Sequence, residues 1–272
     1  MSQVHSSAGR LVDALIDEVG KTLVVGVPIG IGKAIHVVDA LFERAEADRS
    51  ISLTIFTGLT LLAPDPGPGL AARFGQPLIE RLYGQCPVPS YVARVAANSL
   101  PANVQVREFY LRPGGYLGNA LAQQSYTSIN YSQVVEELLA LGVNVVAQLV
   151  AVDGDLRERY SLSSNPEITL DLLPRLLARR QSGHKVAMVG QVNHNLPYMF
   201  GDSELPASSF DLILDSEEYQ FPLFGLLNRR VKPADFATGM HVASLVTDGG
   251  TLQLGIGSLS DAVAHCLRVR HE

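Results

Sequence analysis

Apolar positions along the chain follow two periods in turn. In GRLVDALIDEVG, residues 9–20, Leu11, Leu15, Ile16 and Val19 recur at helical spacing and Gly20 supplies a stop. KTLVVGV, residues 21–27, is a short and nearly all-apolar run, as in a strand buried on both faces. GKAIHVVDALFERAEA, residues 32–47, predicts a second helix with Ile35, Val38, Leu41 and Phe42 as its stripe. ISLTIFTG, residues 51–58, predicts a second buried strand, and PDPGPG, residues 64–69, a loop.

The pattern continues with helices near 70–82 and 90–97 and a strand near 104–111. YSQVVEELLALG, residues 131–142, predicts a helix with Val134, Val135, Leu138 and Leu139 inward. VNVVAQLVAV, residues 143–152, predicts another buried strand. DLLPRLLARR, residues 171–180, is helical in pattern, with Pro174 marking a break or kink. KVAMVGQV and FDLILDSE predict two further strands. Short apolar strands separated by helices predict an α/β protein with a mostly parallel sheet flanked by helices.

After residue 220 the pattern changes. FPLFGLLNRRVKPADF is aperiodic and Pro-containing, as a linker is. FATGMHVASLVTDGG predicts a helix ended by glycines. TLQLGIGSLSDAVAHCL, residues 251–267, then predicts a buried strand, a Gly-Ile-Gly turn and an amphipathic helix. This last stretch echoes the first. LVDALIDEVGKTLVVGVPIGIGKAIHVVDAL and HVASLVTDGGTLQLGIGSLSDAVAHCL both run helix, glycine stop, a strand opening on Thr-Leu, Gly-Ile-Gly turn, helix. The expected organisation is a first α/β domain over 1–220, a linker over 221–231, and the beginning of a second, similar domain over 232–272. A strand and one helix bury too little apolar area to stand alone, so the expectation is the N-terminal portion of a longer protein.

Composition narrows the function. The 272 residues are 47% hydrophobic and 18% charged, enough apolar material for a substantial core. The net charge is −6, and basic residues cluster only in pairs such as Arg179-Arg180 and Arg229-Arg230, so nothing predicts a nucleic-acid surface. Cys86 and Cys266 have no metal-ligand spacing and read as reduced thiols. No signal-peptide pattern and no apolar run of membrane-spanning length is present, and the expectation is a soluble cytoplasmic protein.

The glycine turns are the candidate chemistry. GVPIGIGKA misses the P-loop count, and Ala34 stands where a magnesium-binding hydroxyl is needed. GIGSLS fits two glycines of a dinucleotide fingerprint, but Ser260 takes the place of the third. What both turns retain is close backbone approach followed by a helix N-terminus, which suits a phosphate or a developing oxyanion. A tight turn with no ligand is the alternative.

HVASLVTDG followed by GTLQLGIGSLSDAV resembles the acetyl-CoA hydrolase/transferase family, whose members include acetate, succinate and 4-hydroxybutyrate CoA-transferases. VGQVNHNLPYMFGDSELPASSFDLILD, INYSQVVEELLALGVNVVAQLVAV and GVPIGIGKAIHVVDAL resemble further stretches of it, so the likeness covers most of residues 8–268. The resemblance implies a CoA-transferase domain of NagB/RpiA-like fold, with acyl-CoA and a small carboxylate as substrates. It implies no permanently bound cofactor, no metal, and assembly as a homo-oligomer. The implied mechanism is attack of a glutamate on the thioester, which releases CoA thiolate and gives an acyl-glutamyl anhydride; the thiolate returns to give a glutamyl-CoA thioester, and a second carboxylate accepts the CoA, or water intercepts and the result is hydrolysis. By motif, the oxyanion would meet the backbone amides of Gly255, Ile256 and Gly257, with Gln253 lining the pocket and Gly30, Gly32 and Asn193 contacting substrate or CoA. The glutamate falls beyond the matched turn. Glu272 lacks its strand context, so no catalytic side chain is expected within 1–272, and the fragment alone should be inactive. LRERY, residues 156–160, departs from the family pattern. The other readings are a non-catalytic CoA-binding or regulatory module and, third, a dinucleotide-binding domain.

The remaining polar residues have plain readings. Asn193 and Asn195 suit a turn and His194 an exposed site, while His36 and His241 lie on helices beside apolar residues and read as core or boundary histidines. Asp153 with Asp155, and Glu217 with Glu218, read as solvated.

Overall fold

The computed structural model describes residues 2–154, 157–225 and 229–272. They fall into two compact units, Met1–Phe224 and Gly225–Glu272. Asp155, Leu156 and residues 226–228 of the expected linker lie outside the described residues.

The first unit is built on strands β1 (Gln3–His5), β2 (Thr22–Gly26), β3 (Ser52–Thr57), β4 (Val104–Glu108), β5 (Val145–Val152), β6 (Arg159–Ser161), β7 (Ala187–Val192), β8 (Glu204–Pro206) and β9 (Leu212–Leu214). Its helices are α1 (Ala8–Val19), α2 (Ile35–Ala47), α3 (Leu70–Tyr83), α4 (Tyr91–Ala96), α5 (Ala120–Gln124), α6 (Val134–Ala140) and α7 (Glu167–Gln181). Seven strands lie side by side in the order β1-β9-β7-β5-β2-β3-β4, and each neighbouring pair on that path is parallel. This is the expected parallel sheet flanked by helices. β6 and β8 form a small antiparallel ladder on the end of β5.

Alternation along the strands sends side chains to two cores. Val25, Leu53, Ile55, Val145, Ala147, Val189 and Leu212 face α1, α2 and α4, meeting Leu11, Leu15, Leu41, Phe42 and Tyr91. Phe56, Val146, Val150, Met188 and Ile213 face α6 and α7, meeting Leu138, Leu172 and Leu176. Both faces are covered, which is why the strands read as continuous apolar runs.

Three local outcomes depart from the sequence pattern. α7 continues through Pro174, which lies on the exposed side, where water can take the place of the missing donor. β1 is a strand although Gln3-Val4-His5 shows no apolar run, because an edge strand needs only one partner ladder, here with β9. The stretch 251–257 is not a buried strand. It is exposed and outside any ladder in the second unit.

That second unit contains α8 (Pro233–Leu245) and α9 (Ser258–His271). They pack closely because Gly239 lets α9 approach: a Cβ there would stand 3.0 Å from the Ala262 carbonyl. Cys266 Sγ donates to the Phe236 carbonyl at 3.6 Å. Arg270 closes the end of α8, donating to the Val246 carbonyl at 2.6 Å and to Asp248 at 2.7 Å.

In the first unit the chain builds outward from β2 through β3 to β4, then returns to β5 and builds the other way. β2 and β5 share only two paired positions, Val25 with Val145 and Gly26 with Val146. Asn144 lengthens this seam. Its Oδ1 accepts from Val24 N–H at 2.8 Å and its Nδ2 donates to the Thr22 carbonyl at 2.7 Å. Asn144→Ala removes both bonds and is expected to cost about 1–3 kcal/mol, read as a lower urea midpoint with an unchanged slope. An unchanged midpoint would show that the seam does not depend on this side chain.

Candidate functional site

The seam between β2 and β5 is a topological switch point, and in open α/β sheets ligands enter outside the carboxyl ends of the strands at such a point. Here the chain itself occupies part of that space. After Gly26 the backbone stays against β3, with Val27 N–H donating to the Phe56 carbonyl at 2.9 Å. It then makes a tight 3-10 turn over Gly30–Gly32. Gly30 takes φ +56, a conformation that favours glycine, and donates its N–H to the Leu59 carbonyl at 3.2 Å. Gly32 is buried against Asn165, where a Cβ would fall 2.6 Å from the asparagine Cβ. Lys33 then pairs through its backbone with Gln148 of β5, closing the seam again.

Lys33 is 2% exposed and turns its amine inward. Nζ donates to Thr57 Oγ1, to the Gly58 carbonyl at 2.9 Å and to the Pro28 carbonyl at 3.3 Å. Burial brings its pKa down to about 8, opposed by the charge of Glu108. Glu108, at the end of β4, accepts from Thr60 Oγ1 at 2.9 Å, and Thr60 in turn lies 3.3 Å from the Tyr91 hydroxyl. Burial pushes the Glu108 carboxyl upward, against the pull of Lys33 and Thr60.

Two buried amides complete this edge. Gln148 accepts from Thr169 Oγ1 at 2.7 Å and donates to the Asn165 carbonyl at 3.2 Å. Gln191 of β7 caps α2: its Oε1 accepts from His36 N–H at 3.1 Å and Val37 N–H at 3.4 Å, and its Nε2 meets His36 Nδ1 at 2.8 Å. The first-turn amides of α2 that could have held a phosphate are thus engaged by a side chain. The His36 ring packs on Tyr219 and Phe221, and its pKa is lowered by burial, opposed by Glu218.

Asn193 follows β7 and is fully buried. It donates to the Phe221 carbonyl at 3.0 Å and accepts from Asn195 N–H at 2.9 Å. His194 is exposed, as are Asp153, Glu217 and Glu218. A cleft of about 10 Å³, lined by Gly30, Lys33, Thr60, Cys86, Pro89 and Phe221, opens beside the turn. It admits about one water molecule. Of the turn, Gly30 and Ile31 remain half-exposed.

Among the residues expected from sequence, Gly30, Gly32 and Asn193 thus lie in the first unit, past the carboxyl ends of β2 and β7. Gln253, Gly255, Ile256 and Gly257 lie in the second unit, all exposed, with Gly257 at φ +144 just ahead of α9. The sequence reading missed Lys33, Thr57, Thr60, Tyr91, Glu108, Gln148 and Gln191. A usable signal existed for two of them: Gln148 and Gln191 are lone amides inside strands otherwise buried and apolar, and such groups must be hydrogen-bonded.

No protein-family model matches the chain. Over 76 residues, 28% of its length, it is 40% identical to the 4-hydroxybutyrate coenzyme A transferase of Clostridium kluyveri, a match covering 17% of that protein. Over 80 residues, 29% of its length, it is 34% identical to the succinyl-CoA:cyclohexane-1-carboxylate CoA transferase of Geobacter metallireducens, covering 18% of that protein. In fold it is similar to RipA from Yersinia pestis, with a TM-score of 0.59 and 17% identity over 96% of this chain and 55% of that one. It is also similar to a 4-hydroxybutyrate CoA-transferase from Porphyromonas gingivalis, with a TM-score of 0.54 and 17% identity over 98% and 51%. The chain spans about half the length of these two structures, and at such identities the structural likeness concerns fold alone. In sequence it resembles CoA-transferases over the matched segments.

Gln191→Leu strips the cap from α2 and is expected to lower stability by about 1–3 kcal/mol in urea unfolding; an unchanged midpoint would mean that water caps the helix equally well. His36 gives a pH signature. Its folded pKa lies below the reference 6.5, so the stability it contributes is intact above that value and is lost as pH falls through the window beneath it. Between about pH 7.5 and pH 5.5 the wild type should therefore lose more stability than His36→Gln. Parallel losses in the two proteins would remove His36 from this account.

Proposed function

We propose that this chain forms part of an enzyme that moves coenzyme A between an acyl-CoA and a small carboxylate, or to water. The carrying observation is the 40% identity to a 4-hydroxybutyrate coenzyme A transferase over 76 residues. The parallel sheet, its likeness in fold to a CoA-transferase and the glycine turn at a switch point support the same reading.

In this proposal the half-exposed Gly30 and the backbone around Gly32 approach the acyl-CoA. Asn193 contributes to the site by fixing the chain at Phe221. Gln253 lines the pocket, and the amides of Gly255, Ile256 and Gly257 stabilise the thioester oxyanion. The reaction runs through a glutamyl-CoA intermediate, and coenzyme A enters as substrate rather than as a resident cofactor. We assign the nucleophilic glutamate to no residue of 1–272. Glu108 is buried behind Thr60 and forms no part of the cleft lining. The second unit is read as the beginning of a second domain, and a homo-oligomer in the cytoplasm as the working form. Among the described residues no helix is long and apolar enough to cross a membrane.

Calorimetry on residues 1–272 with coenzyme A, acetyl-CoA and NAD tests the reading. Heat is expected with the two thiol-derived ligands and none with NAD. Binding of NAD alone would replace the proposal with a dinucleotide-binding domain. Turnover of acetyl-CoA by this chain, abolished by a substitution within it, would overturn the placement of the nucleophile. Gly257→Val, which must leave φ +144, is expected to weaken acetyl-CoA binding while the circular dichroism spectrum is retained.

A further inference from the structure

We propose that Lys33 is the positioning residue of the glycine turn: its ammonium ties the turn to the loop after β3. The geometry carries this. Lys33 leaves the turn directly after Gly32, and its three N–H groups meet three acceptors on two segments. Pro28 O lies on the near side of the turn, while Thr57 Oγ1 and Gly58 O lie at the end of β3. Thr57 also donates to Pro28 O at 3.4 Å, so the same two segments are tied twice.

An ammonium has three donors and no acceptor, so these partners satisfy it fully. A neutral or shorter side chain would leave buried oxygens without a donor. Glycine makes the tie necessary. Gly30 and Gly32 give the turn freedom that side chains would restrict, and Gly58 must pass close to its neighbours: a Cβ on it would stand 3.0 Å from Phe109 and 3.1 Å from Ile29. The two loops meet where Gly58 has no side chain of its own and Ile29 packs against it, and the lysine ties them from behind. Gly30 N–H to the Leu59 carbonyl, at 3.2 Å, is the bond that depends on it.

The charged and titratable groups around Nζ are few. Glu108, at the end of β4, acts on it by charge without forming an ion pair; its carboxylate accepts from Thr60, which lies 3.3 Å from the Tyr91 hydroxyl. Asp39, which acts on Tyr91, accepts from Ser90 and is turned to α4.

The inference concerns the turn without ligand, so it stands apart from the identity of the substrate, and failure of coenzyme A to bind would leave it intact. It is tested by hydrogen exchange and lysine NMR. In Lys33→Met the amides of Gly30, Gly32 and Leu59 are expected to exchange about tenfold faster or more, beyond any change at a remote amide such as Val189. Thr57→Val, which removes one acceptor and keeps the shape, should show a smaller acceleration at the same three amides, and it decides the matter if the lysine variant does not fold. By side-chain NMR, Lys33 should titrate far below an ordinary lysine, near the value of about 8. In Glu108→Gln the midpoint should move further down, because the carboxylate favours the charged amine. Acceleration no greater at the turn than at Val189, or a Lys33 midpoint in the ordinary lysine range, would overturn the proposal.

Discussion

The pairing of β2 with β5 is the constraint on which the rest of the structure depends. These strands lie side by side at the middle of the sheet, yet the chain leaves them in opposite directions. Their ladder is only two residues long. A parallel sheet needs both faces covered and all its buried amides paired. The short seam therefore has to be extended from both ends: by Asn144 at the amino side, and by the Lys33–Gln148 bridge at the carboxyl side.

Once the seam is closed in that way, polar groups are committed to the interior. Lys33, Glu108, Gln148 and Gln191 each bring a desolvation cost that only partners can offset. The structure supplies them from neighbouring elements: Thr57 and Gly58 after β3, Thr60 beside α4, Thr169 on α7, and the first turn of α2. Each polar group thus joins two elements that apolar packing alone would leave free to shift. These ties gather where the glycine turn sits, and the turn itself keeps only Gly30 and Ile31 within reach of solvent.

This arrangement bears on the functional reading. A helix N-terminus after a glycine turn suggests an anion site, but Gln191 already satisfies the amides of α2. In the turn itself the Gly30 and Gly32 N–H groups are engaged as well, by the Leu59 and Ile29 carbonyls. The second unit differs in kind. Its two helices pack through small residues, and the stretch 251–257 lies exposed ahead of α9. The amides proposed for the oxyanion are therefore open to solvent.

The sequence by itself determined the alternation of strands and helices, the parallel sheet and the apolar stripes, because period and burial are written in consecutive residues. Leu11, Leu15 and Leu41 declare their faces without reference to anything distant. It also carried the likeness to CoA-transferases. It did not show β1, whose polar residues become a strand only when β9 is present to pair with them. It misjudged residues 251–257, where apolar alternation suggested a ladder that no described strand provides. Above all it left Lys33 and Glu108 unremarked, since 75 positions separate them along the chain and only the sheet order brings their charges into range. Local pattern sets which face a residue turns to the core; only tertiary structure decides which polar groups meet there, because their partners come from elements far away in sequence.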